Sequence, residues 1–313
     1  MIWKQSIDLG VVGFVAVCLS ACGGGAAGNA PTPPTPPQVT QASLEAQLLA
    51  DNQAHLVIHP GTDTTIAAYC LRTDAVTPAA SDACFGSQTT LDMATTGSAT
   101  QGTTVRLWTR NQTGEVKKQQ ELALPGKTCG AQAYAASAAN ALPAVCLITD
   151  RGELVLALEN TKAPLSAQNF LRYVNEGFYN GTYVHRVSAN FVVQGGGFVW
   201  DGTTYTKKTA TYGPIDLEAP AATGLSNTQY SVAMARTSTS KSATTEFFIN
   251  VVNNTSLDTT SGGYAVFGQV IFGQTTTLTS VAQVPVRSST ILTGENSLPV
   301  TPLALQWAYQ IKK

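Results

Sequence analysis

The centre of the chain carries a succession of local patterns that leaves few folds open. Two short apolar runs, residues 145–149 and 153–159, flank Asp150-Arg151-Gly152, an arrangement typical of a β-hairpin. A helix is predicted next, because Pro164 suits a first helical turn and Gly177 suits a helix end. These elements predict a β–β–α succession at the start of a mainly β domain.

The predicted helix has one apolar stripe. Ala167, Phe170, Leu171 and Val174 fall at positions i, i+3, i+4 and i+7, the spacing of a helix that packs on a sheet or on the end of a barrel.

A further strand is predicted over residues 182–187. Alternation along a strand places Val184 and Arg186 on one face. Tyr183, His185 and Val187 are then on the other face. His185 is therefore interpreted as a structural residue rather than a base.

A longer series of motifs runs in order through the second half of the chain: Ala163-Pro164, Asn169-Phe170, Gly177-Phe178-Tyr179, His185-Arg186-Val187, Phe191, Gln194-Gly195-Gly196-Gly197, Ala233-Met234-Ala235-Arg236, Phe247-Phe248-Ile249-Asn250, Leu257-Asp258 and Ala265-Val266-Phe267-Gly268-Gln269-Val270. This series resembles the cyclophilin family over most of residues 143–313. The resemblance implies an eight-stranded antiparallel barrel capped by two helices. It also implies peptidyl-prolyl cis-trans isomerase activity (EC 5.2.1.8) on proline-containing polypeptides, without a cofactor or metal.

The resemblance also assigns the site. Arg186 is the expected catalytic residue, because a fixed guanidinium aimed at the prolyl nitrogen would bind the twisted imide better than the planar one. The expected substrate-binding residues are Phe191, Val192, Gln194, Ala235, Arg236, Glu246, Phe248, Leu257 and Tyr264. The glycine run 195–197 is interpreted as room for a substrate backbone, since no phosphate-loop lysine follows it.

The site departs from the family pattern at four positions. Val192 stands where Met is usual, Glu246 where Gln is usual, Ser256 where animal members carry Trp, and Tyr264 where they carry His. Ser256 predicts weak cyclosporin binding. Glu246 is expected to pair with Arg186 or Arg236, or to favour basic residues near the substrate proline. These departures keep a second function open, a weakly active or inactive cyclophilin-like module that binds peptides or proteins.

Four cysteines remain once Cys18 and Cys22 are assigned to the N-terminal signal. Cys70, Cys84, Cys129 and Cys146 allow three pairings, and disulfides are favoured over metal because no C-x-x-C spacing occurs. The local pairing, Cys70–Cys84 with Cys129–Cys146, closes loops worth about 3 kcal/mol each. The second bond would join the N-terminal module to the first barrel strand.

Residues 41–142 are predicted to form a small, disulfide-stapled, β-rich module, with residues 143–313 as the isomerase domain. A short helix is predicted over residues 43–50, strands over 54–58, 64–71 and 103–109, and a helix over the Ala-rich residues 131–141.

The N-terminus predicts export. Residues 1–22 form a signal-peptide-like segment that ends in Leu19-Ser20-Ala21-Cys22, which resembles a lipobox with Cys22 as the lipidated residue. The alternative is an ordinary secretory signal. Residues 23–40, rich in Gly and Pro, are predicted to be an extended linker. The expected location is the cell envelope, anchored to the outer membrane and facing the periplasm. A net charge of −1 gives no support for nucleic-acid binding.

Overall fold

A computed structural model describes residues 41–48, 53–94, 102–292 and 294–313. The predicted signal segment with Cys22 and the predicted linker of residues 23–40 lie outside the described residues.

The strands before residue 143 are β1 (Ser43–Leu48), β2 (Gln53–His59), β3 (Ile66–Arg72), β4 (Thr90–Ala94), β5 (Thr104–Asn111) and β6 (Val116–Ala123). Those after it are β7 (Ala144–Thr149), β8 (Gly152–Leu158), β9 (Thr182–Val184), β10 (Arg186–Val187), β11 (Val192–Gly195), β12 (Phe198–Trp200), β13 (Tyr205–Lys207), β14 (Ser231–Met234), β15 (Phe247–Asn250), β16 (Val266–Phe272), β17 (Val286–Ser288), β18 (Asn296–Pro299) and β19 (Leu303–Lys312). The α-helices are α1 (Ala131–Ala138), α2 (Pro164–Asn175), α3 (Pro220–Thr223) and α4 (Thr279–Ala282), and 3₁₀ turns cover Thr255–Asp258 and Thr260–Gly262.

The barrel is a closed ring of hydrogen-bonded strands. Its order is β19–β7–β8–β16–β14–β15–β11–β10, and β9, which directly precedes β10 in the chain, pairs with β19. The ring therefore has eight positions, with β9 and β10 sharing one of them, and its strand pairs are antiparallel. The predicted mainly β fold is confirmed.

The strand predicted over residues 182–187 is interrupted. His185 separates β9 from β10, so the predicted alternation does not run through it. Val184 lies in the barrel core, whereas Arg186 is only partly buried and faces the pocket described below. His185 is fully buried, in agreement with its predicted structural position.

Helix α2 closes one end of the barrel. Three residues of its predicted apolar stripe, Ala167, Phe170 and Val174, are in the core, and Leu171 packs at the edge of that core. The first turn of α2 is stabilised by a residue outside the helix, Glu218. Its carboxylate accepts hydrogen bonds from the backbone N–H groups of Leu165 and Ser166 at 2.9 and 2.8 Å. Among the described residues, no helix has the length and apolar character to span a bilayer.

Strand β7 is buried on both faces. Val145 and Leu147 point into the barrel core, and Ala144, Cys146 and Ile148 point into a second apolar core on the outer side. This double burial explains why β7 reads as a continuous apolar run rather than as an alternation.

The N-terminal strands build the outer layer of that second core. β1 pairs in parallel with β19 and antiparallel with β2, which also pairs with β4. β3, β5 and β6 form a separate three-stranded sheet. The division of the chain at residue 142 stays a prediction, while the β1–β19 pairing joins strands from both sides of it.

The helix predicted over residues 43–50 is wrong, because residues 43–48 form β1. Leu, Glu, Ala and Gln favour helices as isolated residues, but Leu44, Ala46 and Leu48 alternate with less buried neighbours and fill the second core. Pairing on both sides of β1 outweighs the intrinsic preference of these residues. The predicted strands over 54–58, 64–71 and 103–109 correspond to β2, β3 and β5, and the Ala-rich helix to α1.

Two disulfides join Cys70 to Cys84 and Cys129 to Cys146. This is the local pairing among the three that the sequence allows. The second bond connects the segment before α1 to β7, across the second core.

Candidate active site

Strand register aligns the central residues of the candidate site. Arg186 lies opposite Gln194, Gln194 opposite Phe248, Phe248 opposite Ala233, and Ala233 opposite Val266. Directly opposite residues in neighbouring strands share a face of the sheet. A row of side chains therefore crosses β10, β11, β15, β14 and β16 on the outer face of the barrel.

A pocket of about 330 Å³ opens over this row. It is lined by Arg186, Phe191, Val192, Gln194, Ala235, Arg236, Phe248, Leu257, Tyr264, Leu292 and Glu295. Nine of these residues were assigned to the site from the sequence. Glu246, also assigned from the sequence, does not line the pocket and contacts Gln194 behind it.

The floor of the pocket is apolar. Val192 and Phe248 line it, and with Ala233 and Val266 beneath them they form a small buried cluster that is distinct from the barrel core. The Tyr264 ring meets Phe248 edge-on, with centroids 5.8 Å apart. Such a floor suits a compact apolar ring such as that of proline.

Arg186 is held at its position by several partners. Its Nε and Nη2 atoms donate to the two carboxylate oxygens of Glu295 at 2.7 and 2.9 Å. Its Nη1 makes a longer contact of 3.4 Å with Oε1 of Gln194. The guanidinium carbon lies 5.4 Å from the centre of the Phe191 ring, within the range of a cation–π contact.

Glu246 does not make the predicted pair with Arg186 or Arg236. Its Oε2 accepts from Nε2 of Gln194 at 3.0 Å and lies 3.3 Å from Nε2 of His185, while Oε1 lies 3.2 Å from Nζ of Lys207. Burial raises the pKa of Glu246, but His185 and Lys207 outweigh that effect and lower the pKa to about 2. Glu246 is therefore an ionised residue that fixes the amide of Gln194.

The glycine run packs against the protein itself rather than leaving room for a substrate backbone. A Cβ at Gly197 would lie 2.5 Å from Cγ of Glu246, and one at Gly196 would lie 2.9 Å from the Thr245 carbonyl oxygen. Gly196 also has a φ of +85°, which favours glycine.

Arg236 supports the far side of the pocket. Its side chain donates to backbone carbonyl oxygens of Gly263, Ser261 and Thr237 and stacks on Tyr264. The preceding residue, Ala235, donates its N–H to the carbonyl oxygen of Glu246 at 2.9 Å.

The buried residue Asn254 links Phe191 to Leu257. Nδ2 of Asn254 donates to the Phe191 carbonyl oxygen at 2.8 Å, and the Leu257 N–H donates to the Asn254 carbonyl oxygen at the same distance. One asparagine thus sets the spacing between two sides of the pocket.

Leu292 and Glu295 were missed from the sequence. They lie in the connection between β17 and β18, and the Arg186–Glu295 contact spans 109 residues. One signal was present, because Glu295 is the only charged residue between Arg287 and Lys312.

One group of possible metal ligands occurs among the described residues, formed by Cys129, Cys146 and Glu153. Its two sulfur atoms are bonded to each other, so they are not free to act as thiolate ligands.

Comparison with known proteins identifies relatives of this site. Residues 144–299 match the family model described as cyclophilin type peptidyl-prolyl cis-trans isomerase/CLD. A peptidyl-prolyl cis-trans isomerase of Acinetobacter baylyi is 45% identical over 160 residues, which cover 50% of this chain and 81% of the relative. Peptidyl-prolyl cis-trans isomerase B of Escherichia coli is 45% identical over 130 residues, or 40% of this chain and 76% of the relative. A crystal structure of a Cryptosporidium parvum cyclophilin in the presence of the dipeptide Ala-Pro aligns with a TM-score of 0.44 at 21% identity, over 54% of this chain and 99% of that one.

Proposed function

The chain belongs to the cyclophilin-type peptidyl-prolyl cis-trans isomerase family, and from this premise we propose that it isomerises Xaa-Pro bonds of exported polypeptides in the cell envelope, with Arg186 as the catalytic residue. The observation that carries the site assignment is the register that aligns Arg186 and Gln194 with the apolar floor at Phe248.

The chemistry required is rotation about one bond. The planar imide is held by conjugation, with a barrier of about 18–20 kcal/mol. When the bond twists, the nitrogen lone pair leaves that conjugation and becomes a hydrogen-bond acceptor. A guanidinium N–H of Arg186 donates to this nitrogen in the twisted state, so the contact strengthens as the reaction proceeds. No covalent bond is made or broken, and the chain needs no redox or group-transfer partner for this step.

The hydrogen bond alone does not supply the catalysis. A charge-assisted hydrogen bond contributes about 1.5–3 kcal/mol, which corresponds to roughly one to two decades in rate. The apolar floor at Val192 and Phe248 adds to it by holding the proline ring and by disfavouring the more polar planar amide. Gln194 and the backbone near Ala235 orient the residues around the proline.

The test is an isomerisation assay on a short peptide with one Ala-Pro bond, using the full chain in detergent. Arg186→Ala is expected to reduce kcat/KM by about ten- to a hundred-fold while the circular dichroism spectrum stays unchanged. Equal rates for the two proteins would reject Arg186 as the catalytic residue and would favour the alternative of a binding module with little turnover. That alternative is not favoured by the relatives, which are named as isomerases at 45% identity.

The envelope location rests on two features. The Leu19-Ser20-Ala21-Cys22 segment predicts lipidation at Cys22. The two disulfides, Cys70–Cys84 and Cys129–Cys146, fit a compartment outside the reducing cytosol. Metabolic labelling with an alkyne palmitate is expected to mark the full chain and to leave Cys22→Ser unmarked. If Cys22→Ser fractionates with membranes as the full chain does, the prediction of a lipid anchor at Cys22 is wrong.

Weak cyclosporin binding is part of the same proposal. Ser256 lies exposed in the 3₁₀ turn that carries Leu257, and its short side chain offers neither the ring nor the N–H of the Trp found in animal members. Cyclosporin is expected to inhibit Ser256→Trp at lower concentration than the natural chain. Equal inhibition of the two would remove Ser256 as the reason.

A further inference from the structure

We propose that Glu295 is a positioning residue for Arg186, holding the guanidinium in the orientation that presents its free N–H groups to the substrate imide. This inference rests on the proposed role of Arg186. Glu295 lies 109 residues from Arg186 in the chain, so the folded structure alone brings the two into contact.

The hydrogen-bond geometry leaves Arg186 able to act. Arginine carries five N–H donors in a planar fork. Glu295 takes the donors on one edge, from Nε and Nη2, and Gln194 takes one from Nη1. Among contacts within the described residues, one N–H on each of Nη1 and Nη2 stays available on the end of the guanidinium. A carboxylate that bound this end would compete with substrate, whereas one on the Nε edge fixes the plane.

Arg186 is also braced on its other side. Gln194 donates from Nε2 to Glu246, so its Oε1 is the atom directed at Nη1 of Arg186. Glu246 is held in turn by His185 and Lys207. The guanidinium thus lies between two carboxylates, one bound directly and one acting through an amide.

Glu295 is itself anchored by its backbone. Its N–H donates to the Leu292 carbonyl oxygen at 3.2 Å, and its carbonyl oxygen accepts from the Ser289 N–H at 2.8 Å. β18 begins at the next residue, with Ser297 and Leu298 buried. The carboxylate therefore extends from a hydrogen-bonded turn that a packed strand holds in place.

Loss of the fixed orientation of the Arg186 guanidinium is expected to affect kcat and KM differently. Arg186 acts on the nitrogen only when the imide is twisted, so loss of its orientation affects the transition state more than the bound ground state. A residue that merely stabilised the fold would lower the amount of folded protein and leave the kcat of the folded fraction unchanged.

The test compares Glu295→Gln with the full natural chain in steady-state assays on an Ala-Pro peptide. We expect kcat to fall about ten-fold, with KM changed less than about two-fold. Glu121→Gln is the matched control. Glu121 has a similarly exposed side chain (44% against 37% for Glu295) and pairs with Arg106 on β5, but does not line the pocket. It is expected to leave both constants unchanged.

A second readout does not depend on turnover. The Nε–H proton of Arg186, observed by ¹⁵N NMR, is expected to exchange with water more slowly in the natural chain than in Glu295→Gln. An increase in kcat/KM in Glu295→Gln would overturn the proposal, because it would mean that the Glu295 contact inhibits Arg186. Unchanged kinetics with an active natural chain would overturn it equally. An inactive natural chain would instead reject the proposed function, and the Nε–H exchange would then decide the pairing alone.

Discussion

The Arg236 guanidinium lies 4.6 Å from the centre of the Tyr264 ring, and its Nη2 donates to the carbonyl oxygens of Ser261 and Gly263 at 2.7 and 2.6 Å. One planar group therefore fixes both an aromatic wall of the pocket and the backbone that leads into it. Ser261 has a positive φ of 52°, so this turn is a conformation that needs such support.

Arg236→Lys tests this support. Lysine keeps the charge but has neither the planar fork nor the stacking face, so the turn and Tyr264 lose their brace. We expect KM for a proline peptide to rise about three- to ten-fold, with kcat little changed, because the binding surface is affected more than Arg186. A fall in kcat at unchanged KM would contradict this division of roles.

Glu246→Gln tests the depressed carboxyl pKa. A carboxyl with a pKa of about 2 in the folded chain and an ordinary value in the unfolded chain stabilises the fold above pH ~4.5, and this contribution disappears as the pH falls through about 2. We expect the variant to lose about 2–3 kcal/mol of unfolding free energy at pH 7 and much less near pH 2. Urea titrations at both pH values measure the difference.

Glu115→Gln, which removes an exposed carboxylate from the same chain, controls for the loss of one negative charge. A gap for Glu246→Gln that stayed constant between pH 7 and pH 2 would mean that packing, rather than charge, is responsible.

Gly196→Ala and Gly181→Ala form a matched pair. Both glycines have positive φ, 85° and 71°, but a Cβ at Gly196 would meet Tyr179 at 2.8 Å and the Thr245 carbonyl oxygen at 2.9 Å, whereas one at Gly181 meets nothing within 4 Å. We expect Gly181→Ala to cost about 1 kcal/mol from the backbone alone and Gly196→Ala to cost about 2 kcal/mol or more beyond that. Thermal unfolding compares them, and equal losses would show that the close contacts relax without cost.

Removal of a disulfide is expected to affect stability and not turnover. The residues joined by Cys70–Cys84 and Cys129–Cys146 are separated by 14 and 17 positions, so each bond contributes about 3 kcal/mol through the unfolded chain. Double Ala variants of either pair should lose that amount in urea unfolding and keep kcat/KM at low temperature, because none of the four cysteines lines the pocket. Lost activity in a variant that remains folded would show that the N-terminal strands act on the site.

The sequence predicted the barrel well because its information is local. The hairpin β7–β8 and the helix α2 each carry their own turn and capping signals, and the motif series placed the pocket residues in order. The prediction failed at residues 43–48, where single-residue preferences pointed to a helix and pairing with two strands decided otherwise. Glu295 was missed because its one local signal, an isolated charge between Arg287 and Lys312, does not indicate that the turn after β17 returns to Arg186. Glu246 was found, but its partners depend on β11 and β13, which no local pattern aligns.

The double burial of β7 restricts how this barrel can be exchanged or diverge. Substitutions at Val145 or Leu147 must fit the barrel core. Those at Cys146 or Ile148 must fit the second core, which includes residues of β1 and β5. A barrel transplanted from a protein without the N-terminal strands would bring a water-compatible outer surface to this position and remove the barrel's share of the core in which Leu44 and Leu107 are buried. Substitutions in the N-terminal strands and in the barrel are therefore expected to be correlated along β7 more than at any position of the pocket.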